Sequence, residues 1–270
     1  MISLSIVLYK NNDFLIKRIL KSIENTILQF KLYLIDNSPT DELKILSNNL
    51  NIDYYHFPSN PGFGAGHNIA IEKAMNQGSK YHFIVNPDIY FEEDVITQMV
   101  ELMKSDENIG MIMPQILYPN NKIQYLPKLL PTPLCILKRK LKFPKYIFNR
   151  FIKKYELRDV PKDMIYNAPI ISGCFTLLNL EAIKTVGKYD DSFFMYFEDW
   201  DLSRRMHKYY KTIYFPRVSV YHEYESGANK NKRLFFIFIK SGIHYFNKWG
   251  WFFDKERIII NKKALNQFNK

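Results

Sequence analysis

Ile52-Asp53-Tyr54-Tyr55-His56-Phe57 runs into Pro58-Ser59-Asn60-Pro61-Gly62-Phe63-Gly64-Ala65-Gly66-His67-Asn68 and then into the helical segment Ile69 to Met75. A short β-branched and aromatic run, a polar glycine loop and a helix make one strand-loop-helix unit. The same order recurs around it. Ile2 to Leu8 is an aliphatic run, followed from Asp13 by Phe14-Leu15, Ile19-Leu20, Ile23 and Ile27-Leu28 at helical spacing. Leu32 to Ile35 ends at Asp36-Asn37-Ser38-Pro39, where Ser38 can cap, Pro39 open and Asp41 enter the first turn of a helix carrying Leu43, Leu46 and Leu50. Tyr81 to Val85 ends in Asn86-Pro87-Asp88. Four such units with short loops predict an α/β fold, a Rossmann-like mostly parallel sheet with helices on both faces and right-handed crossovers. Ligands of such sheets sit at the carboxyl ends of the strands, so Tyr9-Lys10 and the polar loops after the next three strands converge on the predicted crevice.

Composition bounds what that crevice serves. The 270 residues are 47% hydrophobic and 24% charged, enough apolar material for a real core, which excludes disorder as the main state. Ten glycines and 13 prolines exclude collagen-like and linker classes. Lys and Arg (38) outnumber Asp and Glu (27), a net charge of +11 that predicts attraction to a nucleotide, a nucleic acid or a lipid surface. Cys135 and Cys174 are the only cysteines and form no C-x-x-C pair. The expectation is therefore a reducing cytosol, with neither a disulfide framework nor a thiolate metal site. Lys10, Asn11, Asn12 and Asp13 break the first apolar run, which is read as a strand and not a secretory signal. No uncharged stretch approaches the roughly 20 residues that span a bilayer, so a membrane contact would be peripheral.

Beyond Met113 the pattern changes. Prolines 114, 119, 127, 131 and 133 preclude long elements, and residues 138 to 158 mix nine Lys or Arg with aromatic and aliphatic residues. Regular structure resumes in a strand from Ile170 to Leu178, a helix near Glu181 to Val186, a helix from Glu198 to Tyr210 and a strand from Thr212 to Val220. The expected organisation is one domain over 1–228, with a nucleotide-binding half (1–113) and an acceptor-binding, catalytic half (114–228). An amphipathic extension follows over 229–270.

Four constellations could carry chemistry. Pro87 turns the chain out of the sheet and aims Asp88 into the crevice, where it could hold a divalent cation through oxygen. Gly62, Gly64 and Gly66 precede a helix whose amides could face a phosphate, although the spacing is neither the dinucleotide fingerprint nor a P-loop. In Phe193-Phe194-Met195-Tyr196-Phe197-Glu198-Asp199-Trp200-Asp201-Leu202-Ser203-Arg204-Arg205, three acids at a helix start follow an apolar run, and two arginines follow one turn later. Acids suit the positive end of a helix, and Asp201 could pair with Arg204 or Arg205. A carboxylate beside a partly dry pocket is also what a general base needs. His222 ends a strand and matters chemically only beside a metal site.

Together and in this order, Tyr33 to Ser38, Asn60 to Asn68, Val85 to Asp88 and, above all, Phe194 to Leu202 resemble the family 2 glycosyltransferases. Within the family they are most similar to the rhamnosyltransferase-like members that build bacterial cell-surface polysaccharides, and the match runs from Ser3 to about Gly227. The resemblance implies a GT-A fold and inverting transfer of a sugar from a nucleotide diphosphate, with TDP-rhamnose favoured and a UDP-sugar as the alternative. It implies that Asp36 contacts the donor base, that Tyr9 lines the nucleotide pocket, and that Asn60, Gly62 and Asn68 approach the nucleotide. Asp88 matches the last acid of the family's D-x-D element, which binds Mg²⁺ or Mn²⁺ on the diphosphate; Asn86 replaces the first. Asp199 falls on the catalytic base, and His222 on another metal or phosphate contact. Arg204 or Arg205 would steady the leaving diphosphate, Glu198 orient an acceptor hydroxyl and Asp201 hold an arginine. The acceptor implied is a glycan or a polyprenyl-diphosphate-linked glycan, which gives the basic aromatic segments an anionic membrane surface to meet on the inner face of the cell membrane. A nucleotidyltransferase on a related sheet is the rival, but it would carry a Gly- and Lys/Arg-rich loop where Tyr9-Lys10-Asn11-Asn12 stands. A nucleic-acid-binding protein leaves the acids at 198 to 201 unexplained, so no nucleic-acid partner is expected.

Overall fold

The computed structural model describes residues 1–47, 51–141, 144–223 and 231–268. Four strands, β1 (Ile2–Leu8), β2 (Phe30–Asp36), β3 (Ile52–His56) and β4 (Tyr81–Val85), lie parallel in the order β3-β2-β1-β4. Register sets Leu8 beside Asp36, Asp36 beside His56 and Ile6 beside Val85, so the polar residues after each strand gather at one edge. Helices α1 (Asp13–Ile23) and α2 (Phe63–Asn76) are the crossovers. Leu4, Ile6, Leu8, Leu34 and Ile35 are fully buried, each contributing roughly 1.5–3 kcal/mol by leaving water.

A polar seam also lies inside this core. The Ser5 hydroxyl meets His67 Nδ1 at 2.7 Å and His82 Nε2 at 2.8 Å, tying α2 and β4 to β1. Burial carries His82 down to about 3 and His67 well below its ordinary value, with His82 adding to the effect on His67, so both rings are neutral at physiological pH.

Two local expectations differ from what is observed. The segment after β2 is a single 3₁₀ stretch, Glu42–Ser47, not a long helix, and Leu50 lies outside the described residues. Ser38 does not cap it: its hydroxyl accepts from the Lys10 amide at 2.8 Å. In contrast, α2 begins earlier than expected, at Phe63, so Gly64, Gly66, His67 and Asn68 are helical. A Cβ on Gly66 would lie 2.9 Å from Val7, so this glycine lets α2 approach β1.

Past β4 the sheet becomes mixed. It continues through β8 (Phe175–Asn179), antiparallel to both β4 and β6 (Ile109–Leu117), to β9 (Lys211–His222), which is parallel to β6. Short strands β5 (Ile89–Tyr90) and β7 (Tyr166–Asn167) pair antiparallel with β9. In β9 the register jumps from Phe215 to Ser219 past Pro216, which has no amide to pair. One sheet thus crosses the expected 113/114 division, and the expected boundary near 228 lies outside the described residues.

Helices α3 (Val95–Ser105) and α6 (Leu180–Val186) complete the layers, and α7 (Glu198–Met206) stops four residues short of the expected Tyr210. The basic region folds as α4 (Pro133–Leu141) and α5 (Lys145–Tyr155), and the tail as α8 (Lys232–Trp249) and α9 (Lys255–Asn266). The tail packs behind α7: Phe193, Phe197, Trp200, Tyr245, Phe246 and Ile260 form a second apolar cluster.

Candidate active site

The first acidic centre lies where β4 leaves the sheet. Pairing of Ile89 in β5 with His222 in β9 brings the histidine to Asp88, and the Glu223 amide donates to Asp88 O at 3.1 Å. His222 Nε2 is 3.3 Å from Asp88 Oδ1 and 3.5 Å from Asn86 Nδ2. Gln124 fixes the ring. Its amide nitrogen donates to the carbonyls of Leu117 and His222, which leaves Oε1 to accept from His222 Nδ1 at 3.1 Å. This network places a proton on Nδ1 and turns Nε2 towards Asp88. Nε2 and the carboxylate face each other favourably across a proton, which makes the pair a charged hydrogen bond, or across a cation in its place. Burial works against the Asp88 carboxylate, yet the hydrogen bond and charge of His222 outweigh it and hold Asp88 below the usual carboxylate range. Asn86 Oδ1 is buried without a hydrogen-bond partner. Carboxylate, imidazole and amide oxygen together fit a hard divalent cation, although no group of three or more His, Cys, Asp or Glu gathers there among the described residues.

The second centre begins at a strained turn. Tyr196 and Phe197 have φ of 70° and 69°, the left-handed region that side chains avoid. The turn is held from two sides. Phe194 O accepts from the Phe63 amide, and a Cβ at Gly62, itself at φ 104°, would lie 2.3 Å from that oxygen. On the other side Ser241 Oγ of α8 donates to Met195 O at 2.8 Å, while Phe197 packs on Phe238 and Tyr245. The apolar run before the acids is therefore a wedge between α2 and α8 that fixes where α7 starts.

That start presents Glu198 and Asp199. Glu198 is 5% exposed and its Oε2 has no partner. Asp199 is half-buried; Oδ2 accepts from the Gly173 amide at 3.2 Å and Oδ1 from the Trp200 amide at 2.9 Å. Burial pushes both acids up, and the Asp199 charge raises Glu198 further. The Gly173 amide and Lys128 work against that rise at Asp199. Glu198 is therefore the member that holds a proton more tightly, and Asp199 the one that ionises first. Lys128 was not among the residues picked out from the sequence. It is 7% exposed, donates to Leu126 O at 2.8 Å, and burial lowers it to about 8. Its backbone pairs with Ile170, at the head of the segment that ends in Gly173; nothing local marks one lysine of 29 for such a place. Cys174 links the two centres: its carbonyl accepts from the Asn86 amide at 2.8 Å while the amide of Gly173 before it donates to Asp199, and burial, with the charges of Asp88 and Asp199, pushes its thiol up to about 12.

Several expected contacts are committed elsewhere. Asp36 is fully buried, with Oδ1 on the Ser38 amide and Oδ2 on the Tyr54 hydroxyl at 2.5 Å, so it shapes the β2 turn and does not open to a base. Neighbouring Asn37 keeps a buried, unpartnered Oδ1. Asn68 clamps the 189–191 segment through Tyr189 O, Tyr189 N and Asp191. Asp201 is fully buried and bonds to Arg205, Lys248 and Trp249, so it does hold an arginine but cannot meet an acceptor. Arg205 spends its other donors on the carbonyls of Val186, Gly187 and Lys188. Arg204 is 1% exposed, bidentate to Asp254 at 2.7 Å and bonded to Glu256. Neither arginine has a face left for a diphosphate. Of the glycine-loop amides, Phe63 and Gly66 are satisfied internally, and Gly64 is small because a Cβ would lie 3.0 Å from Tyr189 and 3.6 Å from Glu198. Tyr9, 45% exposed, and Asn60, at φ 48°, remain at the open edge.

Over 227 residues the chain is 25% identical to rhamnosyltransferase WbbL of Escherichia coli (strain K12), covering 76% of each. Among solved structures it resembles GalNAc-T7, determined with UDP, GalNAc and Mn²⁺, at a TM-score of 0.62 and 15% identity, over 83% of this chain and 43% of that one. Mannosyltransferase PcManGT from Pyrobaculum calidifontis, determined with GDP-Man and Mn²⁺, gives a TM-score of 0.56 at 13% identity, over 83% and 57%. This chain thus spans less than two thirds of either structure, and the likeness establishes the GT-A fold. The family model described as glycosyl transferase family 2 matches residues 3–187. With well over half its length inside that match, this chain belongs to glycosyl transferase family 2 and is a glycosyltransferase.

Proposed function

We propose that the protein moves a sugar, rhamnose favoured, from a nucleoside diphosphate donor to a glycan or polyprenyl-diphosphate-linked glycan, with inversion, in bacterial cell-surface polysaccharide synthesis. TDP-rhamnose is the first donor to test and a UDP-sugar the second. Family membership sets aside the nucleotidyltransferase reading. The observation that carries the proposal is the division of acids around Cys174, with a low, histidine-paired Asp88 on one side and a raised Glu198–Asp199 pair on the other. Direct displacement needs both kinds of site, one for the leaving diphosphate and one for the acceptor proton.

In that displacement an acceptor oxygen attacks the anomeric carbon, its proton passes to Asp199, and the bond to the diphosphate breaks with its electron pair leaving on the phosphate oxygen. The Gly173 and Trp200 amides aim the Asp199 carboxylate, and neutral Glu198 can donate a hydrogen bond to an acceptor hydroxyl. Asp88, His222 and Asn86 Oδ1 would hold Mg²⁺ or Mn²⁺, which supplies positive charge to the developing diphosphate. Tyr9, Asn60 and Asn37 stand at the strand ends nearest the donor nucleotide, at the predicted edge of the sheet.

The test incubates the protein with a panel of nucleotide sugars and divalent cations and follows nucleoside diphosphate release. Release from one donor class, dependent on added cation and lost in Asp199→Asn, supports the reading. Wild-type transfer by both Asp199→Asn and Asp88→Asn would overturn the site assignment.

A further inference from the structure

Two stretches of the chain contain no acid. Residues 131–155 carry eight Lys or Arg, residues 231–253 carry four, and neither has an Asp or Glu. Outside them 26 cations face all 27 acids, so the net charge of +11 belongs in effect to these two stretches.

The fold brings them together. Lys140 Nζ of α4 lies 5.3 Å from the Phe235 ring and 4.9 Å from the Phe238 ring of α8. Lys138 sits over Phe151, joining α4 to α5. Ile136 and Phe238 pack against the same apolar cluster as Ile260 of α9. The cations therefore share these helices with a set of exposed apolar side chains. On α4, Leu134, Leu137 and Leu141 repeat at helical spacing and are all exposed. On α8, Phe236, Ile239 and Ile243 do the same, while Ser241, Gly242 and Tyr245 are turned inward. Between α8 and α9, Phe252 and Phe253 are 76% and 99% exposed. Exposed apolar side chains gathered on packed helices in this way mark a contact surface.

We infer that this face docks on an anionic lipid bilayer, a partner for the proposed transfer reaction, on which this inference rests. Large apolar side chains among Lys and Arg form the composition that seats in a headgroup layer. A second copy in a two-fold dimer would set the same acid-free, cationic patch against itself, which is repulsive. A nucleic acid would use the charges and could stack on the aromatic rings, but it has no use for the Leu134–Leu141 and Ile239–Ile243 stripes. No helix among the described residues is long and apolar enough to cross a membrane; the patch is built to lie on one. The inward side of α8 holds the turn before Glu198, through Ser241 to Met195 O and through Phe197. Docking through the outward side would fix the acid pair relative to the lipid surface, where the hydroxyl of a lipid-linked acceptor is presented.

The test is flotation of the full chain with phosphatidylcholine vesicles, with and without phosphatidylglycerol. Binding at least tenfold stronger to the anionic vesicles and reversed by salt is expected, since each cation near such a surface is worth about fivefold. Phe236→Ser/Phe252→Ser/Phe253→Ser and Lys145→Glu/Arg150→Glu/Lys154→Glu should each cut vesicle binding at least tenfold. Both should keep the wild-type circular dichroism and the wild-type nucleoside diphosphate release with a water-soluble acceptor. Equal or negligible binding to the two vesicle types, folded variants that float like wild type, a concentration-dependent dimer abolished by the Phe variant, or tighter binding to single-stranded RNA than to vesicles would each overturn it. Flotation needs no donor sugar, so loss of flotation with intact release removes this inference alone, and failure of release with intact flotation removes the transfer reading.

Discussion

Asp88 and Asp199 stand on either side of Cys174, one on the turn after β4 and the other in the first turn of α7, and the same side chain meets opposite surroundings. Asp88 has a histidine whose ring orientation is set by Gln124, and it is held below the usual carboxylate range although burial opposes this. Asp199 has a second acid as its chain neighbour, no arginine within its hydrogen bonds, and a dry pocket that pushes it up. A carboxylate meant to stay charged beside a cation needs the first environment, and one meant to take up a proton needs the second. Neither task could be assigned from residue type alone.

The hardest test of this contrast is to remove the proton acceptor without changing its shape. Asp199→Asn should lower the transfer rate about 10³-fold, within the range for loss of a general base, while donor affinity measured by calorimetry stays within about threefold. A parallel fall in donor affinity would move Asp199 to the donor side and dissolve the contrast. The next largest effect belongs to the other carboxylate. Asp88→Asn should weaken donor binding in the presence of Mn²⁺ by about 10- to 100-fold, the range found when the support of a metal site is lost, and should leave metal-free binding unchanged. His222→Gln should follow it in the same titration; a His222→Gln variant that binds donor like wild type would leave Asp88 to act without the histidine.

Lys128 sharpens the contrast from within. Its charge opposes the rise at Asp199, so Lys128→Met should push Asp199 further up. Because Asp199 must be ionised to accept a proton, transfer fails as pH drops through its pKa, and the acidic limb of the rate profile should move to higher pH. The loss should therefore be largest at acidic pH and fade as pH rises above the limb, which one charge in a partly screened site displaces by a modest amount. An unmoved limb would mean that Lys128 is a packing residue.

Much of this could be read locally, and the exceptions share a cause. The apolar runs of β1 to β4 and the break at Asn86-Pro87-Asp88 depend on neighbours in sequence, and they sit where periodicity and proline chemistry put them. Asp199 was legible because an apolar run directly precedes it, whose inward-facing reading needs only local text. Arg204 and Asp36 misled because their partners are remote: Asp254 lies 50 residues from Arg204, and Tyr54 reaches Asp36 only once β3 pairs with β2. Ser38 looked like a cap until the end of β1 supplied the Lys10 amide. Lys128 was invisible for the same reason, since its burial depends on a bridge to Ile170. Side chains whose role is decided by a long-range partner carry no signal in their own segment.

The smallest expected effect bears most directly on how the two acids of α7 divide their work. Glu198 is the more deeply buried, its Oε2 has no partner, and the charge of Asp199 raises it further. Asp199 accepts from two amides and has Lys128 on its side. If Glu198 keeps its proton at neutral pH, Glu198→Gln exchanges one neutral hydrogen-bond donor for another of nearly the same shape. The transfer rate at neutral pH should then stay within about threefold of wild type, since no charge is lost and only hydrogen-bond geometry changes. The acidic limb should stay where it is, because a neutral neighbour is replaced by a neutral neighbour. A fall as large as that of Asp199→Asn would reverse the assignment, making Glu198 the proton acceptor and Asp199 the group that positions it.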